Sequence, residues 1–366
     1  MAHIDISSFS EDQHEAYNII ADFVTHPSRY DQYICIHGWA GTGKTYVLAA
    51  ALQRFPQLQA ASPTGKAASV LRDRTGNEVR TVHGLIYDFK GLVQDLNKED
   101  KKIPVFASKD NHGLDGVIVG LDESSMVGTK LANDLLKTRA RVVSFGDPGQ
   151  LKPVGDSQFF IKPTHTLLVP HRTALKSAII RQAHRVRYDL PPIDDGEDFQ
   201  LLEFSNDRLM EADVALCWKN KTRTWLNNRK REVLGYSLSM LRAGEPLMCL
   251  RNCYDLGIFN GETYKLAHDR SEGEDLRLIA ADGRCIDVLN PIIEGVDLIF
   301  DELRYDDAFV PLTLSYSATV HKFQGSEEKH VLLIPEHPNN NDKKSWLYTG
   351  ITRASKRVTL IKPRGK

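Results

Sequence analysis

The segment GWAGTGKT, residues 38–45, constrains this chain more than any other stretch. It matches G-x-x-x-x-G-K-[ST] and lies between the apolar run YICIHG and the helix-forming stretch YVLAAALQR. A strand, a glycine-rich turn and a helix in that order form a phosphate cradle. Gly38, Gly41 and Gly43 carry no side chain, so the backbone can wrap closely with its N–H groups aimed inward. The helix N-terminus beyond adds partial positive charge. In such a cradle Lys44 bridges the β- and γ-phosphates and Thr45 holds Mg²⁺. Gly38, Gly41, Thr42, Gly43, Lys44 and Thr45 are therefore the candidate nucleotide-binding residues.

Hydrolysis needs a second piece, which GVIVGLDESSM supplies after another apolar strand. Asp122 is placed to contact the Mg²⁺ shell, and Glu123 to polarise the attacking water as a general base. The bland alternative for this pair is an acidic cap on a strand end. A nucleotide kinase would need a second-substrate site and a lid, and neither is identifiable. A third loop, FGDPGQLKPVG, carries Asp147 and Gln150 at the same sheet edge, where Gln150 could sense the γ-phosphate through a hydrogen bond.

At 366 residues, 41% of them hydrophobic, the chain can bury more than one core, and two or three domains are expected at roughly 150 residues each. No run approaches the ~20 apolar residues that a bilayer requires. The N-terminal MAHIDISSFSEDQ lacks a charged-then-apolar targeting pattern, so a soluble, cytoplasmic protein of a bacterial or phage-infected cell is expected. Cys35, Cys217, Cys249, Cys253 and Cys285 include no CxxC pair and read as small core residues. A net charge of -1 argues against bulk electrostatic binding of nucleic acid, so any such contact is local. The window KNKTRTWLNNRKR, residues 219–231, holds six Lys or Arg and no acid. It is either a local contact of that kind or a solvated helix face.

Through residue 166 short apolar runs alternate with helical patterns, as in a parallel sheet covered on both faces. The expected strands are YICIHG, LQAASP, GVIVGLD and RVVSFGD. Each ends in Gly, Ser-Pro or Asp, which gathers the polar loops at the carboxyl edge where open α/β sheets bind ligands. Within this region GLVQDL and KIPVFA flank the turn-like NKEDKK and predict a projecting hairpin at about 87–113. The α/β character resumes with TLLVPH, a helix in TALKSAIIRQAHRVR, and VALCWKNK. Residues 245–311 hold short runs broken by Asn-Gly and Asp-Gly, the pattern of a small antiparallel barrel inserted in a second α/β domain made of 167–244 and 312–366.

Taken in order, GWAGTGKT, SPTGKAASVL, TVHGL, LDESSM, GDPGQLKPVG, PHR, NGE, ATVHKFQGSE and YTGITRA resemble the superfamily 1B DNA helicases, especially the phage Dda and RecD-like enzymes, over nearly the whole chain. The resemblance implies an α/β fold of two tandem RecA-like P-loop NTPase domains with ATP between them. The first, residues 1–166, would carry a duplex-splitting pin hairpin. The second would carry a small Src-homology-3-like β-barrel that braces the pin.

The same resemblance assigns roles. Gln13 looks like the glutamine that reads adenine, with a helix-surface Gln as the alternative. Arg172 and Arg353 look like arginine fingers, although each alone reads as a surface ion-pair partner. Pro63, Thr64 and Lys66 would hold a DNA phosphate at a helix start, and Thr81 and His83 would form a second strand-contacting loop. Asn220, Lys221, Thr319, His321 and Lys322 resemble the second domain's DNA track, while Gln324 and Glu327 look like residues coupling the DNA and ATP sites. Taken alone, His83 or His321 is as readily structural. Phe106 either stacks on a base at the fork or packs the hairpin on its own domain. Thr173 stands where relatives often carry Gln, and Gly120 interrupts an apolar strand. The implied activity is Mg²⁺- and ATP-dependent 5′-to-3′ translocation on single-stranded DNA with unwinding of duplex or forked DNA. The implied protein is a monomer, without a membrane, that meets replication or recombination proteins. An RNA-directed helicase and a DNA-stimulated ATP-gated clamp or switch are the rival readings.

Overall fold

The computed structural model describes residues 4–94, 102–109, 113–153, 155–170, 176–237, 240–250, 253, 256–258, 260–271, 274–289, 291–294, 310–336 and 342–362. The first unit opens with α1 (Glu11–Thr25), whose start is the capping pattern Ser10-x-x-Gln13. There follow β1 (Tyr33–Gly38), α2 (Lys44–Arg54), β2 (Leu58–Ser62), α3 (Gly65–Thr75), β3 (Val79–Thr81) and the short α4 (Val82–Ile86). An antiparallel hairpin of β4 (Tyr87–Gln94) and β5 (Lys102–Ser108) comes next, with Phe89 opposite Phe106. The unit closes with β6 (Ile118–Leu121), α5 (Thr129–Lys137), β7 (Arg141–Gly146) and β8 (His165–Leu167).

Among the described residues the first sheet runs β3-β2-β6-β7-β1-β8, every pair parallel. Ile20, Phe23, Leu48 and Leu71 cover one face, and Val82, Leu85, Leu135 and Phe160 the other. Strands buried on both faces need continuous apolar runs, which is why these four read so plainly. Gly120, the interruption in β6, has a packing reason: a Cβ there would meet Leu48 Cδ1 of α2 at 2.8 Å.

The second unit contains α6 (Ala178–Arg187), β9 (Phe199–Leu202), α7 (Asn206–Glu211), β10 (Val214–Cys217) and α8 (Asn220–Val233). After them come β11 (Met240–Leu241), β12 (Pro246–Cys249), β13 (Thr263–Leu266), β14 (Arg270–Ser271), β15 (Leu276–Ile279), β16 (Cys285–Val288), β17 (Pro291–Glu294) and β18 (Val310–Leu314). The chain then returns through β19 (Ser317–Thr319), β20 (Glu328–Leu333), α9 (Lys343–Ile351) and β21 (Ala354–Ile361). The second parallel sheet is ordered β19-β10-β20-β21-β9, and a third, largely antiparallel sheet β16-β15-β13-β12-β18-β17 encloses its own core of Leu247, Leu278, Val288 and Leu312. No described helix is long and apolar enough to cross a membrane.

Several expectations shift. TLLVPH, expected to open the second unit, pairs at its start with β1, so the first sheet extends to Leu167. Likewise Val310–Leu314 pairs with β12, which carries the third sheet past the expected boundary at 311. The basic window is α8, and it is not one solvated face. Arg223, Lys230 and Arg231 are buried. Lys230 donates to the Ala212 carbonyl at 2.8 Å, and Arg231 lies 3.0 Å from Glu245. Cys35, Cys217 and Cys249 are core residues as expected, whereas Cys285 is exposed on a sheet edge. Arg172, Thr173 and the hairpin turn, 95–101, lie outside the described residues, as does the side chain of Phe106.

Candidate functional site

The loops at the carboxyl edge of the first sheet form one wall of a cavity of about 360 Å³, and the second unit forms the other. Gly41 and Gly43 take φ of 82° and 84°, the left-handed turns that bend the phosphate loop. Lys44 donates to the Gly38 and Trp39 carbonyls at 2.7 and 3.2 Å and lies 3.8 Å from Asp147. Thr45 donates to Asp122 at 3.2 Å. Burial, with the Glu123 charge adding to it, pushes the Asp122 carboxyl up to about 6. Glu123 holds a left-handed φ of 52°, and its buried Oε2 has no hydrogen-bond partner among the described residues.

A magnesium ion fits this donor set. A hydroxyl and a desolvated carboxylate meet on the cavity wall, and a cation there would offset the Asp122–Glu123 repulsion. Among the described residues no group of three or more His, Cys, Asp or Glu could hold a metal, so an ion here would draw its remaining oxygens from phosphates and water.

Arg353 enters the same cavity from the second unit, buried, and among the described residues donates only to neutral acceptors: the Thr349 carbonyl at 3.2 Å, the Ser326 carbonyl at 3.3 Å and Thr352 Oγ1 at 3.3 Å. It is not the surface ion-pair partner that an isolated Arg suggests. Gln150 lines the cavity, and its buried Oε1 has no hydrogen-bond partner among the described residues. Gln324 donates across the interface to the Leu151 carbonyl at 3.2 Å, and Glu327 pairs with Arg74 of α3 at 3.1 Å. Gln13 is fully buried, not on a helix surface. Its carbonyl accepts from Ser10 N and its amide donates to the Thr42 carbonyl at 3.0 Å, so its contact with the site runs through the phosphate loop.

On the opposite side of the carboxyl edge, Thr64 caps α3 by accepting from Ala67 N at 3.2 Å, and Pro63 precedes it. Thr81 caps α4 in the same way, accepting from Gly84 N at 3.0 Å. Both hydroxyls serve their own helices. Lys66 and Thr81 line a groove of about 770 Å³ between the first sheet and the third. Burial holds the His83 imidazole below its ordinary value. The hairpin springs directly from α4, and its root is pinned by Tyr87 donating to Asp134 at 2.5 Å and by Lys109 donating to the Gly84 carbonyl at 2.7 Å.

In the second unit Thr319 pairs in register with Cys217, so the segments that carry His321 and Asn220 leave neighbouring parallel strands at the same end. The His321 ring stands edge-on to Trp218 at 4.8 Å. Asn220 and Lys221 are exposed, and the turn that carries them is anchored by Glu336, which accepts from Trp218 N, Lys219 N and Thr222.

Residues 9–202, more than half of the chain, match the AAA domain family, and residues 314–361 match the UvrD-like helicase C-terminal domain. The chain belongs to the AAA-domain family. The chain is 27% identical to the ATP-dependent RecD2 DNA helicase of Deinococcus radiodurans, over 88% of its own length and 46% of that protein. It is 23% identical to the RecBCD enzyme subunit RecD of Mycobacterium tuberculosis, over 88% of its length and 65% of the relative. It thus spans about half to two-thirds of these relatives. Among solved structures, two coordinating Pif1 helicases at forked DNA superpose with a TM-score of 0.63 at 18% identity, covering 96% of this chain and 92% of that one. A Pif1 helicase from Candida albicans gives 0.57 at 18% identity, with 97% and 94% covered. These likenesses show the mixed α/β, tandem RecA-like fold.

Motif reading misses Tyr348, although it stands inside YTGITRA. Its hydroxyl accepts from Ala40 N and donates to Asp147, both at 2.7 Å, and so ties two nucleotide-site loops to α9. Ser326 and Thr352 also line the cavity, where only the packing of the two units brings them, and Arg74 reaches it from α3 of the first unit.

Proposed function

We propose that this chain is a Mg²⁺-ATP-driven DNA helicase that moves 5′ to 3′ on single-stranded DNA and displaces the complementary strand. One observation carries the reading: the phosphate-loop cavity is walled jointly by Lys44, Asp122, Glu123 and Gln150 of the first unit and by Ser326, Glu327 and Arg353 of the second. Hydrolysis at such a seam alters the fit between two domains, and each domain carries loops suited to a strand.

Lys44 would leave the Gly38 and Trp39 carbonyls for the phosphates of ATP. Thr45 and Asp122 would hold Mg²⁺, which offsets phosphate charge. Glu123, with a free buried oxygen, is placed to take a proton from the attacking water, and Gln150 to orient it. Arg353, engaged only by neutral acceptors, keeps its charge for the transferred phosphoryl group, and Arg172 joins it on the strength of the family pattern. Closure would carry Asn220, Lys221, Thr319, His321 and Lys322 toward the loops at Thr64 and Thr81. The β4–β5 hairpin serves as the pin and the third sheet as its Src-homology-3-like brace. Replication or recombination proteins are the partners this activity implies.

Strand displacement on 5′-tailed and 3′-tailed DNA and RNA duplexes tests the reading. Unwinding of 5′-tailed DNA is expected. A 3′-tail or RNA-only preference would overturn it, and ATP turnover stimulated by single strands without displacement would favour the clamp or switch.

A further inference from the structure

The phosphate loop carries one bulky side chain, Trp39, and its ring is held by the second unit. The Arg187 guanidinium, at the end of α6, lies 3.1 Å from the ring centroid. Tyr348 of α9 meets the same ring edge-on at 6.2 Å and 86°. One turn before Arg187, the His184 imidazole meets the Ala40 backbone. The third nucleotide loop closes the arrangement, since a Cβ on Gly149 would stand 2.7 Å from Trp39 Cζ3 and 3.1 Å from Tyr348 Cε1. That clearance leaves room for glycine only.

The backbone of the same tryptophan faces the chemistry. Its carbonyl accepts from Lys44 Nζ at 3.2 Å, from Thr42 N at 3.2 Å and from Thr42 Oγ1 at 2.8 Å. Movement of Lys44 toward a phosphate therefore releases one side of Trp39 while the second unit grips the other. A guanidinium over an indole face is held by the ring quadrupole and gains strength when partly desolvated, and both groups are half-buried here.

We propose that Trp39 and Arg187 form the contact through which the phosphate loop and the second RecA-like domain sense each other, with Arg187 a positioning residue for strand-stimulated hydrolysis. The inference rests on the helicase reading above and adds to it a route of coupling that bypasses the arginine fingers. Arg187 does not line the nucleotide cavity, so its effect reaches the reaction only through the loop.

The experiment compares the wild-type chain with Arg187→Gln, Arg187→Lys and Trp39→Phe. ATP turnover is measured with and without a saturating single-stranded oligonucleotide, alongside tryptophan emission on adding a non-hydrolysable ATP analogue. Arg187→Gln is expected to keep basal turnover and the KM for ATP within about two-fold while strand-stimulated kcat falls about ten-fold, within the usual range of coupling between sites. Arg187→Lys, which keeps a cation, should recover most of the stimulation, and Trp39→Phe should retain it while removing the nucleotide-dependent emission change. Equal loss of basal and stimulated rates in Arg187→Gln, or unchanged stimulation, would overturn the proposal. Should the wild type show no strand stimulation, the helicase reading fails. The emission change then decides the contact separately: its absence, or its persistence in Trp39→Phe, excludes Trp39 as a sensor of nucleotide.

Discussion

At the scale of single residues, Glu123 concentrates the chemistry. A non-glycine residue at φ 52° carries backbone strain of roughly 1–3 kcal/mol, and such strain gathers at functional sites. Here it turns the side chain into the cavity and leaves a buried oxygen unpaired. Glu123→Gln preserves shape and removes the proposed base, so nucleotide binding should persist while turnover falls by about 10²–10⁴. Loss of binding together with turnover, measured with a fluorescent nucleotide, would instead make Glu123 structural. Its identity was legible in LDESSM. Its strained backbone was not, because φ depends on how the loop leaves β6 beneath the phosphate loop. Gln13 makes the complementary case: SEDQ spells a capping box, yet only the fold shows that its amide also grips Thr42.

At the scale of elements, α8 is the informative one. Its sequence reads as uniformly basic, but Arg231 and Glu245 are 0% and 1% exposed as side chains and bind the third sheet to the second domain. Glu245 also accepts from Tyr316 at 3.1 Å and Arg242 N at 2.7 Å, so its oxygens are well supplied. Removing one member strands a buried charge. Glu245→Leu should therefore destabilise the chain by about 3–5 kcal/mol, whereas joint replacement with Arg231→Met should restore much of it. Urea titration of the single and double variants tests this, and a single variant within 1 kcal/mol of wild type, roughly the worth of an exposed pair, would refute it. The window pattern could not reveal the pairing because its partner lies beyond the helix, across a turn into another sheet.

At the scale of the whole molecule, the two RecA-like domains share packing. Leu151, from the first domain's third loop, is buried in the second domain's core beside Trp346 and Tyr348. Burial also depresses the imidazoles of His37, His83, His184, His321 and His330. A depressed histidine favours the folded state while neutral. Its contribution is complete above the ordinary value of about 6.5 and is lost as pH falls from there toward the lowered folded values. Glu328 and Asp122, with carboxyls pushed up by burial, act in the opposite direction but are fewer. The urea midpoint should therefore be lower at pH 5.5 than at pH 7.5, and a midpoint that is flat or higher would contradict this account.

The phosphate cradle, the acidic pair after β6, the parallel strands and the hairpin before them were all readable from sequence, since each depends on local spacing and on continuous apolar runs. Sequence order also placed the loops at one sheet edge. What tertiary structure alone decided was which distant groups share an environment: Arg353 with Ser326, Trp39 with Arg187, Arg231 with Glu245, and β8 with the first sheet instead of the second. Local pattern records which face of an element is apolar. It does not record which other element covers that face, and in this chain the answer sets both the cavity's far wall and the burial of half its basic helix.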